Sequence, residues 1–219
     1  MKQSNFYQLI YKIMEKQHYE VLDNEGKLQF SMWYIDELKA TLDLLSHEEI
    51  AWVIETIEKA FLDWKKIFIA WNWWSSATSS HMASDLQKTT LWKQPQTKND
   101  QFKFKAISLS DNIPVMTAWW NDEGYDYIFS EQLKTLWETW DILIIITWSW
   151  NSGNLIKAIE VAKENWIKTI WFLWFDWWKA KWMLDQSILV NSTNYWPIED
   201  IHMVLVHLIT EYFKKMINK

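Results

Sequence analysis

Cysteine is absent from this 219-residue chain, which excludes a disulfide framework and thiolate chemistry. No apolar run approaches the roughly 18–20 residues of a membrane span, so no membrane partner is expected. Positive charge is in deficit. With 22 Lys+Arg against 28 Asp+Glu the formal net charge is −6, and no basic stripe offsets it, which argues against nucleic acid as the main partner. The first residues, MKQSNFYQLIYKIMEKQHYE, are amphipathic and charged throughout. They lack the uninterrupted apolar region of a signal peptide, so a cytoplasmic, soluble protein is expected. There is no internal repeat and no low-complexity linker. The length suits one domain with a full core.

Glycine is the most informative shortage: the chain has 3 glycines and 20 tryptophans, where ordinary usage would give about 15 glycines.

Five short runs read as strands: 66–70 (KIFIA), 104–109 (FKAISL), 141–147 (DILIIIT), 168–173 (KTIWFL) and 186–190 (QSILV). They are near-continuously apolar rather than alternating, as in strands buried on both faces. Helical patterns at 76–88, 125–136, 154–164 and 179–184 separate or follow them. This alternation predicts an α/β fold, a five-stranded parallel doubly wound sheet flanked by helices. Three N-terminal helices are expected at 6–21, 32–45 and 48–62, and a last helix at 198–216. The sharpest domain boundary falls near residue 64. It separates an N-terminal helical segment, 1–63, packing on the domain and on partner subunits, from a ligand-binding domain, 64–219.

The tryptophans track the places where this architecture wants glycine. Trp71, Trp73 and Trp74 fall in the turn after the first strand. Trp148 and Trp150 follow the third, and Trp174, Trp177 and Trp178 follow the fourth. Trp64, Trp140 and Trp166 each precede a strand, where a helix ends and a glycine cap is common. Real indoles there would meet the steric penalty on positive φ, although a base-stacking role would require them. The distribution implies that many of these positions are glycine in the natural protein. A genome that decodes UGA as glycine, translated with UGA as tryptophan, produces this pattern. Trp119 is the best candidate for a genuine tryptophan.

Read with glycine, residues 67–86 become IFIAGNGGSSATSSHMASDL and 147–154 become TGSGNSGN. The chain then resembles the sugar isomerase (SIS) domain family, specifically its phosphoheptose isomerases, over roughly 30–215. AWWNDEGYDYIFSEQL (118–133), FLWFDWWKAK (172–181) and IEDIHMVLVHL (198–208) extend the match. Both turns lie beyond the carboxyl ends of strands, where open α/β sheets bind ligands, and each runs into a helix N-terminus suited to phosphate. The resemblance implies a sugar-phosphate substrate held by Asn72, Ser75, Thr147, Ser149 and Ser152. Ser152 and Asn151 also suit helix capping. No Walker or dinucleotide fingerprint is present.

Aldose–ketose isomerisation needs a base at the C1–C2 face and a group that stabilises the enediolate oxygen. His81 and Asp85 are i, i+4 on one helix face, a spacing that suits a metal, an acid–base pair or a plain surface pair. The family places a glutamate, base and metal ligand, where this chain has Asp85. Its glutamine ligand corresponds to Glu199 and its histidine to His207. The resemblance thus implies catalytic Asp85, Glu199 and His207, and a metal set of His81, Asp85, Glu199 and His207 suited to zinc. The shorter Asp85 and the charged Glu199 look compensatory, with Glu199 taking part of the base role or the metal charge.

Glu199 and His207 are eight residues apart, about 12 Å along an ideal helix. Either the helix breaks near Pro197 or the two serve different sites in an oligomer. His202 is the rival ligand, though it reads more simply as a surface histidine. Asp122 matches a family position near the sugar hydroxyls and equally suits an N-cap ahead of 125–136. His18 and His47 carry no expected catalytic role.

The resemblance implies an isomerase converting sedoheptulose 7-phosphate to D-glycero-D-manno-heptose 7-phosphate, assembled as a homotetramer. The family also holds non-catalytic SIS proteins that bind a phosphosugar, or a partner such as a replication initiator, and regulate. Retention of His81, a carboxylate at 85 and His207 favours the enzyme; the glutamate-to-aspartate change favours the binder.

Overall fold

The computed structural model describes residues 23–72, 75–91, 103–146, 152–174 and 185–218. The helices expected at 6–21 and 179–184, and Trp73, Trp74, Trp148, Trp150, Trp177 and Trp178, lie outside those residues.

The chain divides into two compact units, Met1–Lys39 and Ala40–Lys219. Helix α1 (Asn24–Leu42) begins in the first, earlier than the sequence pattern predicts, because Asp23 accepts the Gly26 N–H at 2.8 Å and so starts the helix.

The second unit runs α2 (His47–Leu62), β1 (Lys66–Ala70), α3 (Ser75–Lys88), β2 (Lys105–Ser108), α4 (Ile113–Asp122), α5 (Ser130–Leu136), β3 (Ile142–Ile146), α6 (Gly153–Glu164), β4 (Lys168–Trp174), β5 (Gln186–Val190) and α7 (Tyr195–Ile217). Short 3₁₀ turns occupy Thr89–Leu91 and Tyr125–Tyr127. All five expected strands are present, all parallel, in the order β2-β1-β3-β4-β5. Every residue of β3 is buried, which explains the unbroken apolar run. Phe68, Ala70, Leu143, Ile145, Trp171 and Leu173 belong to a core shared with Leu155, Ala158 and Ile159 of α6. Alternate residues such as Ile67, Ile69 and Ile144 are buried on the other face.

Helix α4 was not expected from the pattern. None of its residues is fully buried; only Val115, Met116 and Trp119 are half-buried, with Met116 against the core, so its apolar stripe is short. Its signals are local: Asn112 accepts from the Val115 N–H at 3.3 Å, and Pro114 sits in its first turn. The helix expected over 125–136 is in fact the 3₁₀ turn and the shorter α5.

Three non-glycine residues among those described adopt positive φ: Trp64 at 58°, Trp140 at 72° and Trp166 at 57°. Trp64 follows the C-cap of α2, with Lys65 N–H donating to Ala60 O at 2.8 Å and Trp64 N–H to Phe61 O at 3.2 Å. That pair of bonds is the Schellman closure, whose left-handed position favours glycine. Trp166 stands in the same place after α6, with Ile167 N–H donating to Ala162 O at 2.9 Å.

Candidate active site

The strand order puts the topological switch between β1 and β3, whose chains leave toward opposite edges of the sheet. Ligands in such sheets bind beyond the carboxyl ends of the strands at that point. Asn72 stands two residues past β1 and is half-buried there, and Ser75 opens α3. Ser152 is the N-cap residue of α6 (φ −72°, ψ 104°), and its hydroxyl makes no capping hydrogen bond. Thr147 and Ser149 lie outside the described residues. The chain contains no arginine, so an anion at this crevice must be met by helix N–H groups, hydroxyls, amides or lysines rather than by a guanidinium fork.

Asp122 is not an N-cap. It is the last residue of α4, a helix the apolar periodicity did not show, and its carboxylate accepts from Asn121 Nδ2 at 2.8 Å.

His81 and Asp85 occupy successive turns of α3, with Nε2 and Oδ2 3.3 Å apart. His207 arrives from α7 and sets its Nε2 3.2 Å from that of His81. Thr89 Oγ1 donates to Asp85 Oδ1 at 2.8 Å and fixes the carboxylate. Thr89 was missed in the sequence, although its i+4 spacing from Asp85 is the available signal. One donor atom from each of His81, Asp85 and His207 falls within 4.8 Å of the others. Two imidazoles and one carboxylate form a donor set for a divalent metal, zinc included.

Helix α7 is unbroken from Tyr195 to Ile217. Of the two alternatives, a break at Pro197 does not occur, because that proline lies in the first turn, where its missing N–H has no intrahelical partner to lose. Glu199 is outside the three-residue donor group, and its carboxylate accepts from Tyr195 Oη at 2.6 Å.

His202 is not a surface residue. It is 1% exposed, because α7 turns it toward the sheet, with its ring centroid 5.3 Å from that of Trp71 and 6.3 Å from that of Phe172. Neither ring nitrogen has a hydrogen-bond partner, and burial pushes its pKa down to about 3, so it is neutral.

No protein-family model matches the chain. It is 30% identical over 183 residues to a phosphoheptose isomerase of Helicobacter pylori, covering 82% of this chain and 90% of that protein. Against the phosphoheptose isomerase of Thermodesulfovibrio yellowstonii the identity is 35% over 159 residues, 73% of this chain and 76% of the relative. The fold matches the phosphoheptose isomerase structure from Francisella tularensis with a TM-score of 0.76 at 23% identity, over 89% of this chain and all of that one. The Neisseria gonorrhoeae structure gives a TM-score of 0.73 at 23% identity, over 86% and 98%. With the sheet and the His81–Asp85–His207 group in place, these similarities identify the chain as a member of the phosphoheptose isomerase family.

Proposed function

We propose that this protein is an aldose–ketose isomerase that converts sedoheptulose 7-phosphate to D-glycero-D-manno-heptose 7-phosphate. The convergence of His81, Asp85 and His207 from two helices carries the reading. The reaction moves a proton from C1 to C2 through an enediol or enediolate, while the carbonyl passes from C2 to C1. Asp85 takes the C1 proton and returns one to C2. His207 passes the proton between the two substrate oxygens. His81 and Thr89 hold the Asp85 carboxylate, which matters because reacting atoms must meet within about 3–3.5 Å. Because α7 is unbroken, Glu199 and His207 serve different sites of the oligomer, and there Glu199 would supplement a base that is one methylene shorter than the family's glutamate.

Asn72, Ser75, Asp122 and Ser152, with Thr147 and Ser149, bind the sugar phosphate. Phosphate suits the α6 N-terminus, whose unpaired N–H groups and partial positive charge face the switch point. His81, Asp85 and His207 would hold a zinc ion. A bound zinc polarises a carbonyl and stabilises the oxyanion.

The working unit is a cytoplasmic homotetramer. The natural chain carries glycine at many of its tryptophan positions, from UGA decoded as glycine. The positive φ of Trp64, Trp140 and Trp166 supports that reading. The test is turnover of sedoheptulose 7-phosphate by the parent and by Asp85→Asn. Loss of about 10²–10⁴-fold is the span expected for a lost acid–base group, and unchanged turnover would remove Asp85 from the mechanism.

A further inference from the structure

Asn72 and Asn154 form a reciprocal amide pair across the β1/β3 switch point. Asn154 Nδ2 donates to Asn72 Oδ1 at 2.7 Å, and Asn72 Nδ2 donates to Asn154 Oδ1 at 3.1 Å. The Leu155 backbone N–H donates to Asn154 Oδ1 at 2.9 Å. A backbone N–H needs an acceptor, so the Asn154 amide can take one orientation only, and that in turn fixes Asn72. Tyr125 Oη adds a second donor to Asn72 Oδ1 at 3.0 Å. Burial pushes the Tyr125 phenol above its ordinary value, with a hydrogen bond from Asn154 opposing the rise, so the phenol keeps the proton it donates.

The consequence is a count of lone pairs and hydrogens. Both lone pairs of Asn72 Oδ1 are taken, and one of its two N–H groups is spent on Asn154. Among the described residues nothing takes the other N–H, which sits on a half-buried side chain at the mouth of the switch point. Asn154 is fully buried and does not reach a ligand itself. Gly153 allows Asp126 to approach the start of α6 closely. A Cβ there would stand 2.6 Å from Cγ and 2.7 Å from Oδ2 of Asp126, beside the same 3₁₀ turn that carries Tyr125.

We propose that Asn154 and Tyr125 are positioning residues that make Asn72 a donor-only contact, selecting a ligand oxygen that can only accept: the substrate's carbonyl or enediolate oxygen, or a phosphate oxygen. This rests on the sugar-phosphate reading of the switch point. A hydroxyl, which donates or accepts, would not discriminate the orientation of Asn72; a carbonyl or phosphate oxygen would.

The test is calorimetric titration of the parent, Asn154→Asp, Tyr125→Phe, Asn72→Ala and the Asn72→Ala/Asn154→Asp pair, with sedoheptulose 7-phosphate and with inorganic phosphate separately. In Asn154→Asp the residue can only accept, so the bond from Asn154 Nδ2 to Asn72 Oδ1 gives way to two facing oxygens and the Asn72 amide loses the contact that aims its N–H at the ligand; an aspartate is acceptable in the first turn of α6. The expectation is at least a tenfold weakening in Asn154→Asp and a smaller one in Tyr125→Phe. The double variant should bind no worse than Asn72→Ala, since the effect passes through Asn72. The ligand that shows the loss identifies which oxygen is read. A merely structural role would lower the melting temperature and add to Asn72→Ala. Binding by Asn154→Asp within twofold of the parent for both ligands, or losses that add fully, would overturn the proposal; if Asn154→Asp does not fold, Tyr125→Phe decides by the same criterion. A parent that binds sedoheptulose 7-phosphate without isomerising it fails the enzyme reading while this coupling is still decided, and a parent that binds neither ligand fails both.

Discussion

His81 and His207 bring their Nε2 atoms to 3.2 Å from one another, joining α3 to α7. Two such nitrogens cannot both carry a proton along that line. One donates to the other's lone pair, or both turn their lone pairs to a shared cation. The Asp85 carboxylate, 3.3 Å from His81, supplies the negative charge for either arrangement.

Zinc should therefore stabilise the folded protein. A ligand at 100 times its Kd adds about 2.7 kcal/mol, which for a domain of this size raises the melting temperature by about 5–10 °C. Differential scanning calorimetry of metal-stripped protein with and without zinc measures it. The shift should vanish in a His81→Ala/His207→Ala variant; an equal shift in both proteins would place zinc elsewhere.

The division of charge between Asp85 and Glu199 has its own test. If Glu199 shares the base role, Glu199→Gln reduces turnover at least as much as Asp85→Asn. Steady-state kinetics on the two variants decides this, and full activity in Glu199→Gln would assign the whole base role to Asp85.

Trp64, Trp140 and Trp166 hold left-handed backbone with their side chains 40%, 53% and 69% exposed. Trp166 loses the least burial on truncation, and left-handed geometry costs a side chain about 1–2 kcal/mol. Trp166→Gly should stabilise by about 1 kcal/mol in urea denaturation; a destabilising result would contradict the glycine reading. Tandem mass spectrometry of the protein from its natural host, reading residues 67–88, should find glycine at 71, 73 and 74.

His202 makes stability depend on pH. Its folded pKa of about 3 lies below the unfolded value of about 6.5, so the unfolded chain binds the proton first. Stability is complete above the unfolded pKa and falls as the pH drops toward the folded one. Between pH 7.5 and 5.5 the loss is about 1.4 kcal/mol. His202→Leu removes no hydrogen bond and should lack that increment in paired denaturation curves. Identical pH slopes in the two proteins would mean that His202 is hydrated in the fold.

The sheet was legible because burial on both faces leaves unbroken apolar runs, as in β3. The pairing of His81 with Asp85 followed from i+4 spacing alone. His207 beside them depends on α7 packing against α3, which no local pattern encodes; family resemblance supplied it. Asn154 escaped notice because its partner, Asn72, is 82 residues away. Helix α4 was hidden because its apolar stripe is short and only half-buried, which left an N-cap open as a reading of Asp122. His202 was misread because helical spacing does not say which face of α7 meets the sheet.

The most direct test is proton NMR of sedoheptulose 7-phosphate incubated in D₂O with the protein purified from its natural host. Isomerisation through an enediolate predicts an aldose anomeric signal and deuterium at C2 of the product. Sedoheptulose 7-phosphate that binds yet shows neither new anomeric signal nor exchange would contradict the isomerase and leave a phosphosugar-binding protein.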